Sequence, residues 1–164
     1  MAHKKRIYVS FDADDILYYN MLQAWCDSET QVLFHQILSM AENTSQKIAD
    51  NLVKSLSERI DKACCFIVLV SDHTASSGSQ LKLEIEKAIE YDKPIIVVNL
   101  NGKRSIDTDL CPSILKNQFA LHLSFNAKII QKGIDTWPVF YEKNKRDKSG
   151  AFFFKAEVYK ELGL

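Results

Sequence analysis

CCFIVLVSDHTASSGSQLKLEIEKAIEYDKPIIVVNL, residues 64–100, is the stretch on which the fold turns. Cys64 to Val70 is a continuous apolar run, as in a strand covered on both faces, and Ser71 to Ser79 is a small, polar loop. Leu81, Ile85, Ala88 and Ile89 form one stripe at helical spacing, which Asp92, Lys93 and Pro94 bring to a stop. Ile95 to Leu100 is a second apolar run. Strand, helix, strand in this order predicts two parallel neighbours joined by a crossover helix.

The same rhythm extends outward on both sides. Arg6 to Phe11 predicts a first strand that ends in Asp12, Asp14 and Asp15, and the apolar face of Ile16, Leu17, Tyr19, Met21, Leu22 and Trp25 predicts the helix after it. Val32 to His35 reads as a short second strand, Gln36 to Asn43 as a loop, and Thr44 to Lys62 as a long amphipathic helix with Ile48, Leu52, Val53, Leu56 and Ile60 on its stripe. Downstream, Ala120 to Leu123 reads as a fifth strand. Asn126 caps a helix through Ile129, Ile130 and Ile134, a lysine-rich link spans Glu142 to Gly150, and a last helix runs from Phe153 to Leu162, ended by Gly163. The expectation is an α/β, flavodoxin-like fold: a five-stranded parallel sheet of order 2-1-3-4-5 with helices on both faces. Residues 1–164 are expected to form one domain, with a C-terminal helical extension from about residue 126.

Composition narrows the function classes. The 164 residues are 46% hydrophobic and 26% charged, with 21 Lys plus Arg against 21 Asp plus Glu, so no global positive field favours nucleic acid or an acidic membrane. The longest apolar runs fall far short of the roughly 18 residues of a membrane span, and the basic N-terminus is not followed by a signal-peptide core. A cytoplasmic protein is expected. Cys26, Cys64, Cys65 and Cys111 contain no C-x-x-C pair and His3, His35, His73 and His122 no H-x-x-x-H pair, so reduced thiols and no metal centre are expected.

In the order 2-1-3-4-5 the crevice for ligands lies beyond the ends of the first and third strands. One loop brings Ser10, Phe11, Asp12, Asp14 and Asp15; the other brings Ser71, Asp72, His73, Thr74, Ser76, Ser77 and Ser79. Glu84 sits one turn into the following helix, at the border of its apolar stripe, while Glu86 and Glu90 point well away from it. Hydroxyls and acceptors beside one carboxylate suit a ligand rich in hydroxyls, such as a ribose. Turn and cap chemistry accounts for the same serines and aspartates when each is taken alone. The sequence has no G-x-G-x-x-G, no G-x-x-x-x-G-K-[ST] and no G-x-S-x-G, which disfavours a dinucleotide redox site, a P-loop and a hydrolase nucleophile elbow.

KKRIYVSFDADD (4–15), CCFIVLVSDHTASS (64–77), LKLEIEKAIEYDKPIIVVNL (81–100) and the closing VYKELGL together resemble the TIR-like domains, in particular the small TIR-like subunits of Thoeris antiphage defence systems. In the TIR enzymes that cleave NAD, the glutamate of a W-x-x-x-E helix is catalytic. The resemblance puts it at Glu84, with Gln80 where the family has its tryptophan. It further implies that Ser10, Phe11, Asp12, His73, Thr74, Ser77 and Gln80 line the substrate pocket, with NAD as substrate, no cofactor and no metal.

The implied reaction breaks the nicotinamide N-glycosidic bond through an oxocarbenium-like ribose, whose growing positive charge one carboxylate stabilises. Water as acceptor gives ADP-ribose, an atom of the adenine gives a cyclic isomer, and another small nucleophile gives a conjugate. The resemblance also implies homo-oligomeric assembly on activation, a phage component as trigger, and a separate effector reached through the small-molecule product. Two other readings share the fold. A non-catalytic TIR-like adaptor is one; a receiver-like phosphorylation module is the other, with Asp12 and Asp14 or Asp15 at Mg²⁺ and Asp72 as phosphoacceptor.

Overall fold

A computed structural model describes residues 5–27, 35–38, 50–76 and 78–164. Its strands are β1 (Lys5–Ser10), β2 (His35–Leu38), β3 (Cys65–Val70), β4 (Ile95–Asn99), β5 (Ala120–Ser124) and β6 (Ala151–Phe153). The α-helices are α1 (Ile16–Asp27), α2 (Asp50–Lys62), α3 (Ser79–Glu90), α4 (Ala127–Asn144) and α5 (Ala156–Glu161). All strand pairs are parallel, and the sheet order is β2-β1-β3-β4-β5-β6. The expected order 2-1-3-4-5 is present, extended at one edge by a sixth strand.

Alternation along the strands divides the apolar residues into two cores. Ile7, Val9, Ile67, Leu69, Ile96, Val98, Leu121 and Leu123 pack with Leu22 of α1, Ile130, Ile134 and Trp137 of α4, and Tyr159 of α5. On the other face Tyr8, Phe66, Val68, Val97 and Ala120 pack with Leu56 and Ile60 of α2 and Leu81, Ile85 and Ala88 of α3. Helices therefore cover both faces, and β3 and β4 are buried along their whole length. Gly133 lets α4 lie close to the sheet: a Cβ there would stand 3.0 Å from Leu123 and 3.2 Å from Leu121.

Three expected boundaries are corrected. The second strand is His35–Leu38, in register with Lys5 to Tyr8, not Val32 to His35. Val32, Leu33 and Phe34 lie outside the described residues, as do residues 39–49. The link Glu142 to Gly150 is in part helical, because α4 continues to Asn144: Trp137, Phe140 and Tyr141 extend its apolar face and pack on Phe119. Pro138 inside α4 has no N–H for the carbonyl of Ile134, and Lys5 Nζ donates to that oxygen instead, at 3.4 Å. Finally, Phe153 ends β6, and the last helix begins only at Ala156.

His122, opposite Val97 on β5, is fully buried and neither ring nitrogen has a hydrogen-bond partner among the described residues. Burial pushes its pKa down to about 4, so the ring is neutral at pH 7. An unfolded histidine takes up its proton near 6.5, so the unfolded chain binds more protons between pH 6.5 and 4 and stability falls as pH falls through that window. His122→Leu is expected to remove this contribution, worth about 3 kcal/mol in full at the acid end. Urea melts of both proteins from pH 7.5 to 4 check it: the stability difference must grow in favour of the variant on acidification, and a constant difference contradicts it.

Candidate active site

The parallel order reverses direction between β1 and β3, which opens a crevice beyond their carboxyl ends. Tyr8 and Ser10, two residues apart on β1, share the face of the sheet that α3 covers. Between them and α3 lies the carboxylate of Glu84. Its Oε1 accepts a 2.6 Å hydrogen bond from Tyr8 Oη, and its Oε2 accepts one from Ser10 Oγ. Tyr8 is itself fixed by parallel stacking on Phe66, ring centroids 5.4 Å apart.

Only 4% of Glu84 is exposed. Burial raises its pKa, while hydrogen bonds from Ser10, Tyr8 and Gln80 pull it back down. Gln80 lies one turn before Glu84 on the same side of α3, the i,i+4 relation that brings the two side chains together. Thus the residue in the tryptophan position contributes an amide to the carboxylate. No cation pairs with Glu84 among the described residues, so its charge is held by neutral donors alone.

A second buried carboxylate stands farther along the crevice. Asp15, in the 3-10 turn Ala13–Asp15 that leads into α1, is 3% exposed. Its Oδ2 accepts a 2.6 Å bond from Ser71 Oγ, and its Oδ1 lies 3.1 Å from His73 Nδ1. Ser71 Oγ in turn accepts from the backbone N–H of His73 at 3.0 Å, and the N–H of Ser71 donates to Thr74 Oγ1 at 2.8 Å. The hydrogen bond to Asp15 raises the His73 pKa, with Asp72 and Asp14 adding to it.

The expected site residues therefore fall into groups. Glu84, Ser10 and Gln80 meet directly. His73 and Thr74 belong to the Asp15 cluster, although Thr74 is buried and its hydroxyl closes the loop rather than facing a ligand. Asp12 accepts from the N–H of Asp14 at 2.9 Å as a cap, and Phe11 stacks on Tyr19 at 4.6 Å. Ser77 lies outside the described residues. Tyr8 is a member that sequence reasoning missed, and its i,i+2 relation to Ser10 was the available signal. Asp15 and Ser71 belong to the expected crevice loops; the part that sequence reasoning missed is their pairing with each other and with His73.

The family model for the Thoeris protein ThsB, TIR-like domain, matches residues 8–105. The chain belongs to that family. The match of this ThsB TIR-like domain runs from Tyr8 through β4 and so contains Tyr8, Ser10, Asp15, Ser71, His73 and Glu84. No curated protein matches the sequence. Among solved structures, a 2-desoxiribosyltransferase from Leishmania mexicana is similar at 16% identity and a TM-score of 0.45, over 60% of this chain and 67% of that one.

In Glu84→Gln the amide oxygen can accept from one hydroxyl while its NH₂ donates to the other, so the shape and both contacts persist without the buried charge. Because the folded carboxyl holds its proton more tightly than the unfolded one, the wild type loses stability as pH rises above the ordinary carboxylate range. The variant is expected to melt higher than wild type at pH 7, with its advantage gone at pH 4. Thermal melts at both pH values test this, and a variant that melts lower at pH 7 contradicts it.

Proposed function

We propose that this ThsB-family TIR-like protein is an enzyme of antiphage defence that cleaves NAD at the nicotinamide–ribose bond and makes an ADP-ribose-derived signal, linear or cyclic, for a separate effector. The observation that carries the reading is the Glu84 carboxylate: buried at the switch point, beside two hydroxyls, and not neutralised by any cation among the described residues. An ion pair would have spent its charge on the protein. Held instead by neutral donors in a low-dielectric setting, that charge gains most when a positive ribose forms next to it.

In the reaction the C1′–N bond breaks and its electron pair goes to the nicotinamide nitrogen, so the leaving group departs neutral and needs no proton. With Tyr8, Ser10 and Gln80 donating to it, the Glu84 carboxylate retains one of its four acceptor positions. A ribose hydroxyl takes that position, and its bond tightens as charge develops. NAD is the substrate here and no cofactor is required.

With only 4% of Glu84 exposed, substrate reaches it after a local opening, which supports a resting form of low activity and activation by assembly. Ile16, Leu17, Tyr18 and Met21 form an exposed apolar stretch on α1, beside the crevice, and support a homo-oligomeric active form. The receiver-like alternative has less to rest on. Asp12 is a cap, Asp15 is taken by Ser71 and His73, and the side chain of Asp72 is 85% exposed.

The experiment is NAD turnover by wild type and Glu84→Gln, with and without lysate of phage-infected cells, with ADP-ribose-containing products read by mass spectrometry. Loss of about 100-fold or more in the variant is expected. Equal turnover by the two proteins, or none in any condition, would leave the adaptor reading as the better account.

A further inference from the structure

His73 is held by Nδ1 against a carboxylate that is almost fully buried, while its Nε2, on the opposite edge of the ring, has no hydrogen-bond partner among the described residues. The side chain is 47% exposed, so that edge is reachable. Asp15 is locked in turn: its other oxygen receives the Ser71 hydroxyl, and Ser71 receives the N–H of His73. One nitrogen committed to a fixed carboxylate and the other left open is the arrangement that orients a histidine as a general base.

Position and charge decide what this base would act on. Ser10 pairs with Val68, and Ser71 follows three residues beyond Val68, so the cluster stands roughly 10 Å along the strand direction from the level of Ser10. A ribose hydrogen-bonded to a carboxylate, with a nucleophile beyond it, spans a length of that order. The groups facing the imidazole are Asp15 and Asp14 from the turn before α1, and Asp72 from its own loop. Three carboxylates repel a pyrophosphate and stabilise an imidazolium, which argues against anion binding and for proton uptake.

We propose that His73 is a catalytic residue for the second half of the reaction, the base that takes the proton from the acceptor, and that Asp15 and Ser71 are its positioning residues. The inference rests on Glu84 acting on the ribose of NAD. The acceptor is water or another neutral O–H or N–H nucleophile. Once the bond to nicotinamide has broken with its pair on the ring nitrogen, the acceptor heteroatom forms the new bond to C1′ of the positive ribose. The acceptor proton passes to Nε2 of His73 and from the exposed ring to solvent, so NAD and the acceptor give the ADP-ribosyl product, neutral nicotinamide and one proton.

The full-length protein, under the condition in which wild type is active, tests this by pH–rate profiles of NAD consumption beside NMR titration of the His73 ring, assigned by its loss in His73→Ala. The rate is expected to rise with pH as His73 loses its proton. In His73→Ala that limb should vanish, with kcat down about 100-fold at pH 8, KM for NAD within about threefold, and activity partly restored by imidazole in the medium. In Asp15→Asn, the ring pKa and the kinetic limb should move together to lower pH. A wild-type kcat and profile in His73→Ala, or a rate that falls as His73 deprotonates, overturns the base while Glu84→Gln still abolishes turnover. Wild type that consumes no NAD in any condition overturns both readings.

Discussion

A carboxylate with no cation beside it among the described residues, sealed between a strand and a helix, is the constraint around which this structure is arranged. Glu84 is tolerated in the interior because Tyr8 and Ser10 reach it from one face of β1 and Gln80 reaches it along α3. Those donors are in place only if β1 lies next to β3 in the observed register and α3 crosses back over that face. A slip of one residue in β1 would turn Tyr8 and Ser10 to the opposite face and leave the charge with little but apolar neighbours. The sheet order and the site are thus two expressions of the same pairing.

Asp15 shows how differently a second buried carboxylate can be used. Both of its oxygens are taken by groups of the loop after β3, so it organises Ser71 and His73 and ties the start of α1 to that loop. Glu84 is held by two hydroxyls and an amide, whereas Asp15 is shared between a hydroxyl and an imidazole that can carry charge. The contrast between the two comes from their partners, since both are almost fully buried.

What the sequence made legible follows from where energy is concentrated. The core unit from Cys64 to Leu100 stood out because strands buried on both faces must be apolar at every position. Glu84 was found through the helical period and the family resemblance together. Less was visible where short segments depend on distant partners. β6 is three residues of an aromatic run, and its strand character comes from pairing with β5, not from alternation of its own. The end of α4 was read short because the lysines from Glu142 onward read as a link, whereas Phe119 and Lys5, both distant in sequence, support the helix beyond Ile134. Asp15 stood in the expected crevice loop, but its pairing with Ser71 and His73 was hidden by the adequacy of a local explanation: an acidic residue before a helix needs no tertiary partner to make sense.

Four bonds of the site join distant parts of the chain: Tyr8 and Ser10 meet Glu84 across 76 and 74 residues, and Asp15 meets Ser71 and His73 across 56 and 58. During synthesis β1 leaves the ribosome long before β3, its partner on that side, has been made. A growing chain that has not yet exposed α3 carries the hydroxyls of the site without the carboxylate. The parallel topology therefore acts as a timing device, in which the Glu84 carboxylate joins Tyr8 and Ser10 only after β3 and α3 have been translated.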